Sequence, residues 1–214
     1  MIRVLICDDH AIVRQGLKQI IAETSDIRGV AEAGGYPEVM KPLREGGIDL
    51  LLLDISLPGK NGIEILKLVK KEFPKLPVLI LSMYPEDQYA VRAIRAGAGG
   101  YLTKQSAADQ LVTAIRRVVT GRKYITPELA EALANTLGRD VSAAPHASLS
   151  DREYQTMCLI ASGKALSQIA DELSLSAKTV SVYRARLLEK MGLANNAEIT
   201  HYALKHGLVE LDTK

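Results

Sequence analysis

The sequence predicts an α/β domain, a five-stranded parallel sheet doubly wound with helices, followed by a separate all-α domain of four short helices. Two observations carry that prediction. Through the first 120 residues, short apolar runs alternate with stretches of helical spacing, the pattern of strands joined by crossover helices. Beyond Gly121 the runs stop, and short capped helical segments take their place.

The strands are expected at IRVLIC (2–7), RGVAEA (28–33), DLLLLD (49–54), PVLILS (77–82) and GGYLT (99–103). Their leucine and β-branched content, with turn residues alongside, suits strands buried on both faces. Five helices alternate with them. Ile12, Leu17, Ile20 and Ile21 mark one, and Ile63, Leu66, Val69 and Lys70 another. Val91, Ile94 and Arg95 mark a third, and Leu111, Ala114, Ile115 and Val118 a fourth. The helix after the third strand should run to Glu72 and stop before Phe73-Pro74.

Thr126 is the expected N-cap of a short helix, ELAEALANTL, with Pro127 in its first turn. GRDVSAAPHAS (138–148) is too poor in apolar residues to pack and reads as a linker. Ser150 and Glu153 then form a capping-box signature, opening a helix that Gly163 ends. Ser167 caps a short helix, 167–173, and Ser176 caps the longer AKTVSVYRARLLEKM before Gly192. A last helix covers roughly 196–206. The domain boundaries expected from this reading are 1–121, a linker with a short helix at 122–148, and 149–214.

Hydrophobic residues at 47% and charged residues at 24% are ordinary for a soluble globular protein. No stretch approaches the ~18 apolar residues of a membrane span, and the apolar run at the start is too short for a signal peptide. Cys7 and Cys158 lack metal-ligand spacing and read as buried free thiols of a cytoplasmic protein. The net charge of +2 is uneven: residues 1–126 hold 18 basic and 14 acidic side chains, and residues 149–214 hold 8 of each. Bulk charge therefore gives no case for nucleic-acid binding. Any case must be local.

In an open α/β sheet, functional groups gather beyond the carboxyl ends of the strands. Asp8 and Asp9 follow the first strand, Asp54 closes the third, Ser82 the fourth, and Thr103-Lys104 the fifth. Three carboxylates, a hydroxyl and an ammonium would thus project from one sheet edge. Crowded carboxylates repel unless a cation sits among them, and a hard divalent ion such as Mg²⁺ suits oxygen ligands. Each residue alone also has a plainer role, as a turn former, an N-cap or a solvated loop lysine.

The chain resembles the two-component response regulators. The matching residues are Asp8-Asp9, LLLLDISLPGKNG with Asp54, Pro58 and Gly62, LSMY with Ser82, and GYLTK with Tyr101 and Lys104. The resemblance covers residues 1–120 nearly end to end. It implies a flavodoxin-like strand order, 2-1-3-4-5, with Asp54 accepting a phosphoryl group from a sensor histidine kinase. It implies Mg²⁺ on Asp9, Asp54 and the backbone carbonyl of Ser56, with Asp8 acting through water. Lys104 would pair with the phosphoryl oxygens, and Ser82 would hydrogen-bond one of them. Tyr101 would then fill, from the surface, the space that Ser82 leaves. Met83, bulky where many receivers are small, and Gln105, where many carry proline, depart from the pattern.

Residues 150–210 resemble the helix-turn-helix domain of the NarL/FixJ (LuxR-type) subfamily, on LSDRE and LIASGKALSQIADELSLSAKTVSVYRARLLEKMGL. In the longest helix, Val180, Leu187 and Met191 form one stripe, flanked by Tyr183 and Leu188. Lys178, Ser181, Val182, Ala185, Arg186 and Glu189 lie almost opposite. Segment 176–192 carries 4 basic residues against 1 acidic. Small side chains beside long basic ones suit a helix that enters the major groove. By resemblance, Ser181, Val182 and Ala185 meet base edges. Lys178 and Arg186 are candidates for phosphate or guanine contacts, Arg184 for the backbone, and Lys190 for a peripheral phosphate. Ser181 and Tyr183 depart from the subfamily's common residues. A near-neutral domain needs a homodimer on paired half-sites to gain affinity for double-stranded DNA. GAGG (97–100) and SGK (162–164) lack the context of phosphate-binding loops. Two other classes stay open: an Mg²⁺-dependent phosphohydrolase, which would need a second acid near Asp54, and an adaptor that never touches DNA.

Overall fold

In the computed structural model, which describes residues 1–137 and 144–209, the leucines of 50–53 lie in the central strand of a parallel sheet. The strands are β1 (Ile2–Cys7), β2 (Ile27–Ala33), β3 (Leu50–Asp54), β4 (Val78–Ser82) and β5 (Gly100–Thr103). Their order is β2-β1-β3-β4-β5, as the resemblance implies. Leu50 to Leu53 are at most 1% exposed, so both faces of β3 are covered. That is why a continuous apolar run, and not an alternating one, marks this strand.

Five helices wind around the sheet: α1 (Ala11–Ala22), α2 (Tyr36–Glu45), α3 (Gly62–Glu72), α4 (Glu86–Arg95) and α5 (Ala107–Val119). Val4, Ile6, Leu50, Leu52, Leu79 and Leu81 pack against Leu17 and Ile21 of α1 and Leu111, Ile115 and Val118 of α5. The alternate residues Leu5, Leu51, Leu53 and Ile80 turn to the other face, covered by α2, α3 and α4. Three details differ from the sequence expectation. Ile12 is 83% exposed, because it stands too far round the helix from Leu17 and Ile21 to share their inward stripe. Among the described side chains of α4, Tyr89, Ala90 and Ala93 are buried, while Val91 and Ile94 are half-buried. α2 carries Pro37 in its first turn and Pro42 inside, which obscured its helical spacing.

The chain divides into two units, Met1–Ala130 and Glu131–Lys214. α6 (Pro127–Leu137) is capped by Thr126, whose hydroxyl accepts the Leu129 N–H at 3.2 Å. The second unit holds α7 (Asp151–Ala161), α8 (Leu166–Glu172), α9 (Ala177–Met191) and α10 (Asn196–Lys205). Ser150 and Glu153 make the expected capping box, Ser176 accepts from the Thr179 N–H, and Gly192 ends α9 in the left-handed region at φ 65°. Ser167 is not a cap. α8 starts after Ala165, whose N–H is accepted by Gln168, which places Ser167 inside the first turn. Of the expected linker, positions 138–143 lie outside the described residues. Its end, Pro145–Ser148, forms a 3₁₀ turn whose His146 Nδ1 lies 2.8 Å from the Tyr202 hydroxyl. Among the described residues, no helix is long and apolar enough to cross a membrane.

Candidate functional site

Asp54 is the last residue of β3 and 1% exposed, and the loop after it explains how it is held. Ile55 and Leu57 are buried and anchor the turn, and the N–H groups of Leu57 and Gly62 both donate to the Ile55 carbonyl, at 3.0 and 2.9 Å. Asn61 caps α3 in a reciprocal box with Glu64. A Cβ on Gly62 would lie 2.0 Å from the Asp54 carbonyl oxygen, so only glycine lets α3 start this close beneath the strand end. The segment DISLPGKNG is thus a clamp on one aspartate.

Other strand ends bring their groups to it. Lys104 Nζ donates to Asp54 Oδ2 at 3.0 Å and lies 2.6 Å from Asp8 Oδ2. The Lys104 N–H donates to the Ser82 carbonyl at 2.7 Å, which ties the end of β5 to that of β4. Asp8 Oδ1 accepts the His10 N–H at 2.8 Å, and Asp9 Oδ1 lies 2.8 Å from His10 Nδ1. Burial pushes the Asp54 carboxyl up to about 6; the Lys104 ammonium pulls against it, and Asp8 pushes the same way as burial. Burial acts on Lys104 in the opposite sense, yet Asp54 and Asp8 together hold its ammonium above the ordinary lysine range. Cys7 is buried beside these carboxylates, and burial first, then their charge, keeps its thiol far above the usual range.

Of the buried carboxylate oxygens, Asp8 Oδ2 faces the Lys104 ammonium and Asp9 Oδ1 faces His10, while Asp54 Oδ1 accepts no hydrogen bond. Asp8 and Asp9 also share a cluster with His10 whose ligand atoms lie within 4.8 Å of one another. Three acids against one ammonium, with Asp54 Oδ1 left unsatisfied, fit a hard divalent cation. Ser56 is half-buried in the loop two residues beyond Asp54.

Ser82 is fully buried, and its Oγ accepts the Tyr84 N–H at 3.0 Å. Tyr101 corrects one expectation. Its ring does not start at the surface; it is 0% exposed, and its hydroxyl donates to the Tyr84 carbonyl at 2.9 Å. A buried tyrosine needs such a partner, and the β4–α4 loop supplies it. Met83 is 66% exposed, and the Lys104–Gln105 bond is trans.

In the second unit, α8, a tight turn through Leu173–Ser176 and α9 form the helix-turn-helix. Val180 and Leu187 of α9 are buried, with Tyr183, Leu188 and Met191 half-buried beside them. Lys178, Ser181, Val182, Ala185, Arg186 and Glu189 are all exposed. Two expected DNA contacts are engaged elsewhere. Lys190 Nζ donates to Glu153 Oε2 at 2.7 Å, because that carboxylate is buried and needs a cation. Arg184 Nε donates to Asn196 Oδ1 at the start of α10.

A family model described as the response regulator receiver domain matches residues 4–116. The chain belongs to the response regulators. A second model, bacterial regulatory proteins of the luxR family, matches residues 147–203 of this response regulator. It is 35% identical to the response regulator UvrY of Escherichia coli K12 over 214 residues, 100% of this chain and 98% of that one. It is also 35% identical to the response regulator GacA of Pseudomonas aeruginosa, over 98% of this chain and 99% of that one. Among solved structures, RcsB from Salmonella enterica serovar Typhimurium, bound to the promoter P1flhDC in the presence of the phosphomimetic BeF₃⁻, is similar. The identity there is 26% and the TM-score 0.59, over 94% of this chain and 97% of that one. This response regulator therefore works in two-component signalling and regulates transcription through a LuxR-type DNA-binding domain. Sequence reasoning missed Tyr84, held by both Ser82 and Tyr101, and the second role of Glu153. Neither leaves a local signal, since Tyr84 meets Tyr101 across 17 positions and Glu153 meets Lys190 across 37.

Proposed function

We propose that Asp54 accepts a phosphoryl group from the phosphohistidine of a sensor histidine kinase, and that the modified chain binds promoter DNA through α9. The observation that carries this reading is the asymmetry of Asp54: Oδ2 is held by Lys104, while buried Oδ1 accepts no hydrogen bond. Such a carboxylate is fixed in place with one oxygen free to react. That oxygen bonds to phosphorus as the N–P bond of the donor breaks, and the leaving imidazole takes a proton from solvent. Lys104 neutralises charge on the transferring oxygens, where a loose transition state concentrates it. Ser82 donates its hydroxyl to one of them. Asp9, Asp54 and the Ser56 carbonyl would hold Mg²⁺, with Asp8 acting through a water. When bound, the ion supplies further positive charge opposite the phosphoryl group. The loop offers Ile55 and Ser56 after Asp54 and no second acid, which favours a switch over a turnover enzyme.

On the DNA side, Ser181, Val182 and Ala185 face base edges, and Lys178 and Arg186 contact phosphate or guanine. The balanced charge of residues 149–214 makes a homodimer on paired half-sites the source of affinity. Two buried free thiols suit a reducing cytoplasm. Functional boundaries at 121 and 149 follow from the same assignment. Incubation with Mg²⁺ and a small phosphodonor is expected to add one phosphoryl group by intact mass, and Asp54→Asn to abolish it. An unchanged wild-type mass, or a group retained by Asp54→Asn, overturns the assignment. Footprinting with and without the donor tests the link to DNA.

A further inference from the structure

The segment that leads out of α5 does not hang free; it is fastened along the edge of β5. The Tyr124 N–H donates to the Gly99 carbonyl at 2.9 Å, and Tyr124 pairs with Gly100 as a parallel bridge. Arg117 Nε donates to the Lys123 carbonyl at 2.8 Å, the Lys123 ammonium donates to the Ala98 carbonyl, and the Tyr124 hydroxyl donates to Gln110 at 2.8 Å. A Cβ on Gly100 would lie 2.8 Å from Tyr124 Cβ, so glycine admits the segment.

The last tie is the informative one. The Thr126 hydroxyl donates to the Glu86 carboxylate and accepts the Leu129 N–H. Glu86 is the first residue of α4, and Thr126 is the cap of α6. One carboxylate therefore sits where two helices begin, and the partial positive charge of both N-termini favours it there. Glu86 also lies two residues beyond Tyr84, whose N–H is held by Ser82 and whose carbonyl is held by Tyr101. A continuous path of hydrogen bonds and three loop residues joins the strand end at Ser82 to the start of α6.

We propose that the Thr126–Glu86 pair is a latch that fastens the start of α6 to the β4–α4 loop, and that a phosphoryl group on Asp54 releases it. The phosphoryl oxygen draws Ser82 Oγ from the Tyr84 N–H, the loop shifts, and Glu86 leaves Thr126. This rests on Asp54 being the phosphoacceptor and extends it to residues 122–126. Coupling between two sites is reciprocal, so opening the latch must strengthen binding of a phosphoryl mimic.

The test uses the full chain with Mg²⁺ and beryllofluoride, followed by ¹⁹F NMR. Thr126→Val keeps the side-chain shape and loses the hydroxyl, and is expected to bind beryllofluoride about 5-fold more tightly or better. Glu86→Ala should do the same, while Thr126→Ser matches wild type. In wild type, beryllofluoride should speed hydrogen exchange at the Tyr124 amide by about tenfold. Unchanged affinity in Thr126→Val and Glu86→Ala, or equal Tyr124 protection with and without the mimic, overturns the latch alone. Absence of beryllofluoride binding in every variant overturns the phosphoacceptor reading and the latch with it. If Thr126→Val does not fold, Glu86→Ala decides.

Discussion

Gly62→Ala sets two effects against each other. Gly62 opens α3, and helix propensity alone would credit alanine with up to about 1 kcal/mol. Sterics oppose it. The new Cβ would stand 2.0 Å from the Asp54 carbonyl oxygen and 2.8 Å from Asp54 C and Ile55 Cα, against a practical minimum of 3.0 Å. All three are backbone atoms, so no rotamer change relieves the clash; the end of β3 must retreat by about 1 Å or α3 must start elsewhere. Asp54 is paired into the middle of the sheet, which makes either move expensive. Overpacking of this kind costs about 1–3 kcal/mol, and rigid atoms place it at the upper end, for a net loss of about 2 kcal/mol. The same shift carries the Asp54 carboxylate, and a misplacement of about 1 Å costs roughly 100-fold in rate. Urea unfolding and the rate of phosphoryl uptake by mass spectrometry measure both. A variant within about 0.5 kcal/mol of wild type that takes up phosphate at the normal rate would refute the clamp.

Three further outcomes are expected. Burial pushes the Glu153 carboxyl up, but Lys190 and Ser150 pull harder and leave it below the usual range. A lowered folded pKa stabilises fully above the unfolded value, near pH ~4.3, and the contribution is lost as pH falls through the folded value. Lys190→Ala should therefore cost about 1 kcal/mol at neutral pH, a modest figure because the ammonium is 41% exposed, and melting curves of the two proteins should converge in acid. Ser174 has φ 52° in the helix-helix turn, so Ser174→Gly should stabilise the second unit by about 1 kcal/mol; a lower melting temperature would contradict this. Lys178→Ala and Arg186→Ala should each reduce the slope of log affinity against log salt on a promoter duplex by about 0.9, while Lys190→Ala leaves it alone. Equal slopes in all three variants would remove the groove assignment.

Much of this was legible in the residues. The strand runs at 2–7, 49–54 and 77–82 are continuous apolar segments because helices cover both sheet faces, and their bounds fall within a residue of the structure. Capping at Ser150 and Ser176 is local chemistry and reads directly. The buried and exposed sides of α9 also followed from spacing alone. What failed did so for physical reasons. Ile12 looked like a core residue but lies on the far side of α1 from Leu17, and Ser167 looked like a cap but sits inside a helix that starts after Ala165. Prolines hid α2, and alanines hid the inward side of α4.

The order of elements, the strand ends that carry acids and the amphipathic side of α9 belong to the sequence itself, because they depend on periods and caps spanning a few residues. The partnership of Lys104 with both Asp8 and Asp54, the inward ring of Tyr101, the capture of Lys190 by Glu153 and the tie from Thr126 to Glu86 were decided only by the folded chain. Each joins groups distant in sequence, and the choice among possible partners is made by burial: a charge or hydroxyl removed from water takes whichever complementary group the packing places within reach.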